Sequence, residues 1–177
     1  MRVRFLALLP LALSLACGDE SSEDPVEYEQ PQIVPESNLL CLSYQELTAG
    51  ETSEHYVLLS NLGRNPLLIS GASVEDDLRG SFSIGGLRSV ENGDCTEAAP
   101  CEVRSRQDAI LQYRYAPTEP GWDATYLRVR SNAENYPNLR LFVLAKARPP
   151  GLAAGEPYDA GPKPAVAVGA DGSESCP

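Results

Sequence analysis

Five thiols and one imidazole are the groups in this chain best suited to covalent or acid–base chemistry: Cys17, Cys41, Cys95, Cys101, Cys176 and His55. A thiol can be acylated, oxidised to a disulfide or bound to a metal, and its surroundings decide which. Cys17 has the most telling surroundings. Before it stand a basic start with Arg2 and Arg4, an apolar run from Phe5 to Leu15 broken by Pro10 and Ser14, and the small residue Ala16. A membrane-spanning helix needs ~20 apolar residues, so this run is too short to cross. It fits the apolar region of a cleaved export signal, typically ~7–15 residues long.

The segment ending Ser14-Leu15-Ala16-Cys17 resembles a bacterial lipoprotein signal peptide, with the leucine and the small residue swapped relative to the usual pattern. The resemblance implies that residues 1–16 are removed and that Cys17 becomes an acylated N-terminus. Each buried methylene contributes ~0.8 kcal/mol, so several chains hold a protein stably at a membrane where one does not. Gly18 follows, not the aspartate of an inner-membrane retention signal. The expected location is therefore the outer membrane, facing periplasm or cell surface. Plain secretion with a free Cys17 is the other reading.

With Cys17 acylated, four cysteines remain. An even number in an exported protein suggests two disulfides, with three possible pairings. Cys95 and Cys101 lie in one loop with Pro100 between them, so a local bridge is the simplest choice. Cys41 with Cys176 would be the second; otherwise Cys41 is a buried free thiol and Cys176 a reactive one. Zinc needs clustered ligands. Cys95 and Cys101 are too widely spaced for that, and His55 is the one histidine, so neither metal nor cofactor is expected. His55 falls in a strand pattern without a Gly-x-Ser-x-Gly elbow, which gives no grounds for an enzyme. Glu75-Asp76-Asp77 lacks the interleaved spacing of a calcium loop and reads as a solvated acidic turn.

The 177 residues carry a formal charge of −11, and loss of the leader makes it two units more negative. Such a surface repels nucleic acid. Residues 17–37 hold seven acids, no Lys or Arg, and Pro25, Pro31 and Pro35. They cannot bury enough apolar area to offset ordering entropy and read as a disordered tether, reaching about 25 Å if it behaves as a flexible coil. Residues 38–148 read as strands. Ala109, Leu111 and Tyr113 alternate against Ile110, Gln112 and Arg114; Leu127 and Val129 against Tyr126, Arg128 and Arg130; Leu139, Leu141, Val143 and Ala145 against Arg140, Phe142 and Leu144. Period-two alternation with turn residues between runs predicts about seven strands in an all-β sandwich. Segment 86–106, holding Cys95 and Cys101, reads as an elaborated loop. Residues 149–177, rich in Pro, Gly and Ala, read as a flexible tail.

The order Leu42-Ser-Tyr44, Ala49-Gly50, Ser60-Asn61-Leu62-Gly63, Phe82-Ser-Ile84, Tyr115-Ala-Pro117 and Leu127-Arg-Val-Arg-Ser131 resembles an abnormal-spindle/hydin-type, or choice-of-anchor D, domain. It departs from that pattern at Tyr44-Gln45 and in the cysteine-bearing insertion. The resemblance covers about 110 residues and implies an immunoglobulin-like sandwich that serves as a non-catalytic interaction module. Trp122 either anchors a partner or plugs one end of the sandwich. Arg128, Arg130 and Arg140 form a basic stripe for an acidic partner, or pair with nearby acids. The expected function is a membrane-anchored scaffold that binds another envelope protein in an adhesion, secretion or gliding-motility assembly; a small-molecule substrate is not expected. The alternative is a carbohydrate-binding module using Tyr113, Tyr115, Tyr126 and Tyr136.

Overall fold

Alternating burial along most of the long strands builds two facing sheets. A computed structural model describes residues 28–35, 41–42, 46–91 and 93–164; of 41–42 only the backbone is described. Eleven strands lie within those residues: β1 (Ile33–Pro35), β2 (Cys41–Leu42), β3 (Glu46–Thr48), β4 (Ser53–Asn61), β5 (Leu67–Glu75), β6 (Phe82–Ser89), β7 (Gly93–Asp94), β8 (Cys101–Val103), β9 (Asp108–Tyr115), β10 (Gly121–Ser131) and β11 (Asn138–Arg148). The first sheet runs β1-β4-β9-β6-β7. The second runs β2-β11-β10-β5-β8, with β3 also on β11. The segment entering the fold changes sheets: β1 lies antiparallel to β4, whereas β2 and β3 lie parallel to β11.

The core between the sheets takes Val57 and Leu59 from β4, Leu67 and Ile69 from β5, Leu111 from β9, Leu127 and Val129 from β10, and Leu139 and Leu141 from β11. These are the inward sets that the period-two pattern of β9, β10 and β11 selects. In β6 the parity changes. Phe82 faces the core, and a bulge between Ile84 and Gly86 lets Leu87 face it too. One extra residue flips every later side chain to the opposite face.

The folded part starts earlier than residue 38. Ile33 is fully buried and Tyr28 bridges to Gly63, so residues 28–35 of the tether read over 17–37 belong to the sandwich. Asn61 holds this entry. Its Nδ2 donates to the carbonyls of Asn65 and Val103, and its Oδ1 accepts from the amides of Gln32 and Gly63. A side chain at Gly63 would run into the Gln30 carbonyl, which explains the glycine two residues on. Segment 86–106 is also more regular than a loop: β6 extends through Ser89, and β7 and β8 follow. The described part of the C-terminal segment, 149–164, contains no strand. It touches the sandwich where the Tyr158 hydroxyl donates to the Ala147 carbonyl at 2.7 Å and the Trp122 amide donates to the Ala160 carbonyl at 3.3 Å.

Candidate functional site

Antiparallel register places the outward residues of β10 and β11 in rows: Trp122 beside Lys146, Ala124 beside Leu144, Tyr126 beside Phe142, and Arg128 beside Arg140. Ala124, Phe142 and Leu144 are buried and form a second apolar cluster, with Trp122 and Tyr126 against it, on the far side of the sheet from the main core. Cations lie over its rings. The Arg140 guanidinium carbon is 4.1 Å from the Tyr126 centroid, and Lys146 Nζ is 4.3 Å from that of Tyr158. Lys146 and Lys163 stand 5.7 and 5.8 Å from the Trp122 ring.

The arginines of this face are paired. Glu75, at the end of β5, receives Arg128 at 2.8 Å and Arg140 at 3.3 Å. Arg140 also reaches Asp76 at 2.9 Å, and Arg128 donates to Asn138 Oδ1. Arg130 turns to Glu97 in the disulfide hairpin, 3.6 Å away. Asp77 completes the acidic turn differently: its two oxygens accept from the amides of Arg79, Gly80, Ser81 and Phe82. The pairing with nearby acids expected of these arginines is thus present.

Cys95 and Cys101 are joined in a disulfide that sits in the core. Cys17 and Cys176 lie outside the described residues, as does the side chain of Cys41. Trp122 is the second residue of β10, on the outward face of that strand. The four tyrosines considered for sugar binding do not share a face. Tyr113 and Tyr115 point into the core, Tyr126 lies outward on β10, and Tyr136 is exposed in the β10–β11 connection.

His55 shares a 2.8 Å hydrogen bond with Ser53 Oγ and stacks on Tyr113. Burial lowers its pKa and pushes that of Tyr113 up to about 12. The crevice beside it, lined by Phe82, Tyr113, Tyr115 and Val143–Ala145, has a volume of about 10 Å³, room for roughly one water. Among the described residues no group of three His, Cys, Asp or Glu is placed to hold a metal ion. The sequence reading missed Phe142, Lys146 and Tyr158 as parts of the outer face. The signal was present: β11 is apolar on both faces between Arg140 and Lys146, as strands covered on both sides are.

No family model matches the chain, and no curated protein does. Solved structures do. The seventh PapD-like (ASH) domain of human CEP192 is 13% identical with a TM-score of 0.44, over 78% of this chain and 99% of that one. A Porphyromonas gingivalis protein of unknown function is 14% identical with a TM-score of 0.48, over 67% of this chain and 48% of that one. The CARDB domain of the Pyrococcus furiosus PF1109 protein is 12% identical with a TM-score of 0.39, over 74% and 98%. At such identities the likeness concerns architecture alone. The two stacked sheets, with the entering segment divided between them, define an all-β, immunoglobulin-like sandwich.

Proposed function

We propose that this chain is a non-catalytic envelope lipoprotein, acylated at Cys17, whose sandwich is of the choice-of-anchor D type and binds another envelope protein through the outer face of β10 and β11. The observation that carries the reading is the outward grouping of Trp122, Tyr126 and Arg140. Tryptophan, tyrosine and arginine are the residue types that dominate binding energy at protein interfaces, and here a strand register sets them on a rigid surface. The arginines already have carboxylate partners, which offsets their charge on this face. The sugar-binding alternative is weaker, because cations lie over the rings that a sugar would stack on.

The test is crosslinking on cells followed by purification, with mass spectrometry of the mature N-terminus. The expected result is an acylated Cys17 and one recurrent protein partner that is lost in Trp122→Ala and Arg140→Glu. A partner retained by both variants would move the interface elsewhere. Glycan capture without a protein partner would favour the sugar-binding alternative.

A further inference from the structure

Among the described residues, two buried polar atoms at one end of the sandwich have no hydrogen-bond partner: the Tyr115 hydroxyl and Asp123 Oδ2. Both residues are 1% exposed. Tyr115 ends β9 on the first sheet and Asp123 lies near the start of β10 on the second, with residues 116–120 connecting them. The other oxygen of Asp123 accepts from the Ala124 amide at 2.9 Å. Buried carboxylates that stay ionised collect several donors or a bound cation. The nearby cation, Arg79, spends Nη1 on the Pro120 carbonyl at 2.9 Å.

The C-terminal segment docks at this same end. Trp122, next to Asp123, donates its amide to the Ala160 carbonyl. A side chain at Gly121, whose φ is +124°, would meet Arg79 Nη2 at 2.8 Å and the Ala160 carbonyl at 3.2 Å. Arg79 of the loop 77–81, Pro120 of the connection and Ala160 of the C-terminal segment therefore meet at the start of β10, beside Gly121 and Trp122.

We propose that Asp123 serves as a pH-sensitive latch: its buried site favours the neutral carboxyl, and loss of that proton loosens the end of the sandwich where residues 158–160 are docked. Burial is the main reason the neutral form is favoured, and it raises the Asp123 pKa. The negative charge of Asp77 acts in the same direction, while the Ser81 hydroxyl, the Ala124 amide and Arg79 oppose it. Tyr115 stays neutral through the same range, because burial, with Asp123 next, pushes its pKa far up. Tyr158 faces the end from the C-terminal segment, with Lys146 and Glu46 beside it, and His55 lines the same crevice as Tyr115.

An acid whose folded pKa exceeds its unfolded value stabilises the fold fully below the unfolded value, ~3.9 for Asp. That contribution fades as pH rises to the folded value. In the full chain, denaturant unfolding followed by Trp122 emission should show an unfolding constant that grows with pH, by up to about tenfold per unit. Asp123→Asn should flatten that rise and be the more stable protein at neutral pH. Hydrogen exchange at the Trp122 amide, corrected for its intrinsic pH dependence, should quicken with pH in the wild type and not in the variant. Carbon-13 NMR of the wild-type Asp123 carboxyl reads the titration whether or not the variant folds. A carboxyl titrating at or below the ordinary value overturns the proposal. So does a variant with an undiminished pH slope, and so does Trp122 exchange that ignores the titration.

Discussion

The side-chain amide of Asn135 grips the backbone of Ile33 at two points. Its Nδ2 donates to the Ile33 carbonyl at 2.8 Å, and its Oδ1 accepts from the Ile33 amide at 3.0 Å. One residue in the β10–β11 connection thus takes the place of a neighbouring strand along the free side of β1, and so ties the second sheet to the first. Asn135→Ala leaves the Ile33 groups to find water at a partly buried site. At ~0.5–1.5 kcal/mol net per hydrogen bond, the expected loss is about 1–3 kcal/mol in denaturant unfolding. Amide exchange should quicken first at Ile33.

Glu75 is the hinge of the ion-pair group on the outer face. Glu75→Gln removes the charge facing both Arg128 and Arg140. The groups are partly exposed, so solvent screening limits the loss to roughly 1 kcal/mol or less. The clearer sign is in salt: wild-type stability should fall as salt rises from low ionic strength, and the variant should respond less. Melting temperatures across a salt series would show it.

The disulfide between Cys95 and Cys101 closes a loop with a sequence separation of 6. Chain-entropy reasoning assigns such a short loop about 2 kcal/mol. A Cys95→Ala/Cys101→Ala double variant should lose about that much, and slightly more if the buried site does not close up. Unfolding of the wild type with and without reductant should reproduce the difference.

His55 supplies a pH dependence opposite in sign to that of Asp123. Burial lowers its folded pKa, so the unfolded chain binds the proton more readily. The folded state therefore loses stability as pH drops below ~6.5, the ordinary histidine value, until the folded pKa is reached. His55→Gln should remove that acid-side loss, as read by unfolding curves between pH 4 and pH 8.

Alternation alone gave the inward faces of β9, β10 and β11, because a half-buried strand sorts its side chains by a fixed period of two. It failed in β6, where the bulge at Ile84–Gly86 changes the parity and no side-chain pattern announces it. It stopped short at residue 38, because β1 is only three residues long and sits in an acidic, proline-bearing stretch. Its hold on the fold comes from Asn61 and Asn135, distant in sequence. Of the outer face, Trp122 and the arginines were legible by type. Their partners were not, since Glu75 reaches Arg128 and Arg140 only through strand pairing.

By itself, the sequence determined the class of fold and the local disulfide. Both follow from short-range facts: side-chain periodicity along a strand, and two cysteines close enough in the chain to meet. Tertiary structure decided the rest. It set Tyr126, Phe142, Trp122 and Lys146 on one surface, and it buried Asp123 Oδ2 and the Tyr115 hydroxyl at one end of the sandwich. Those relations depend on which strands pair and in what register, and register is fixed only when both sheets bury their inner faces together.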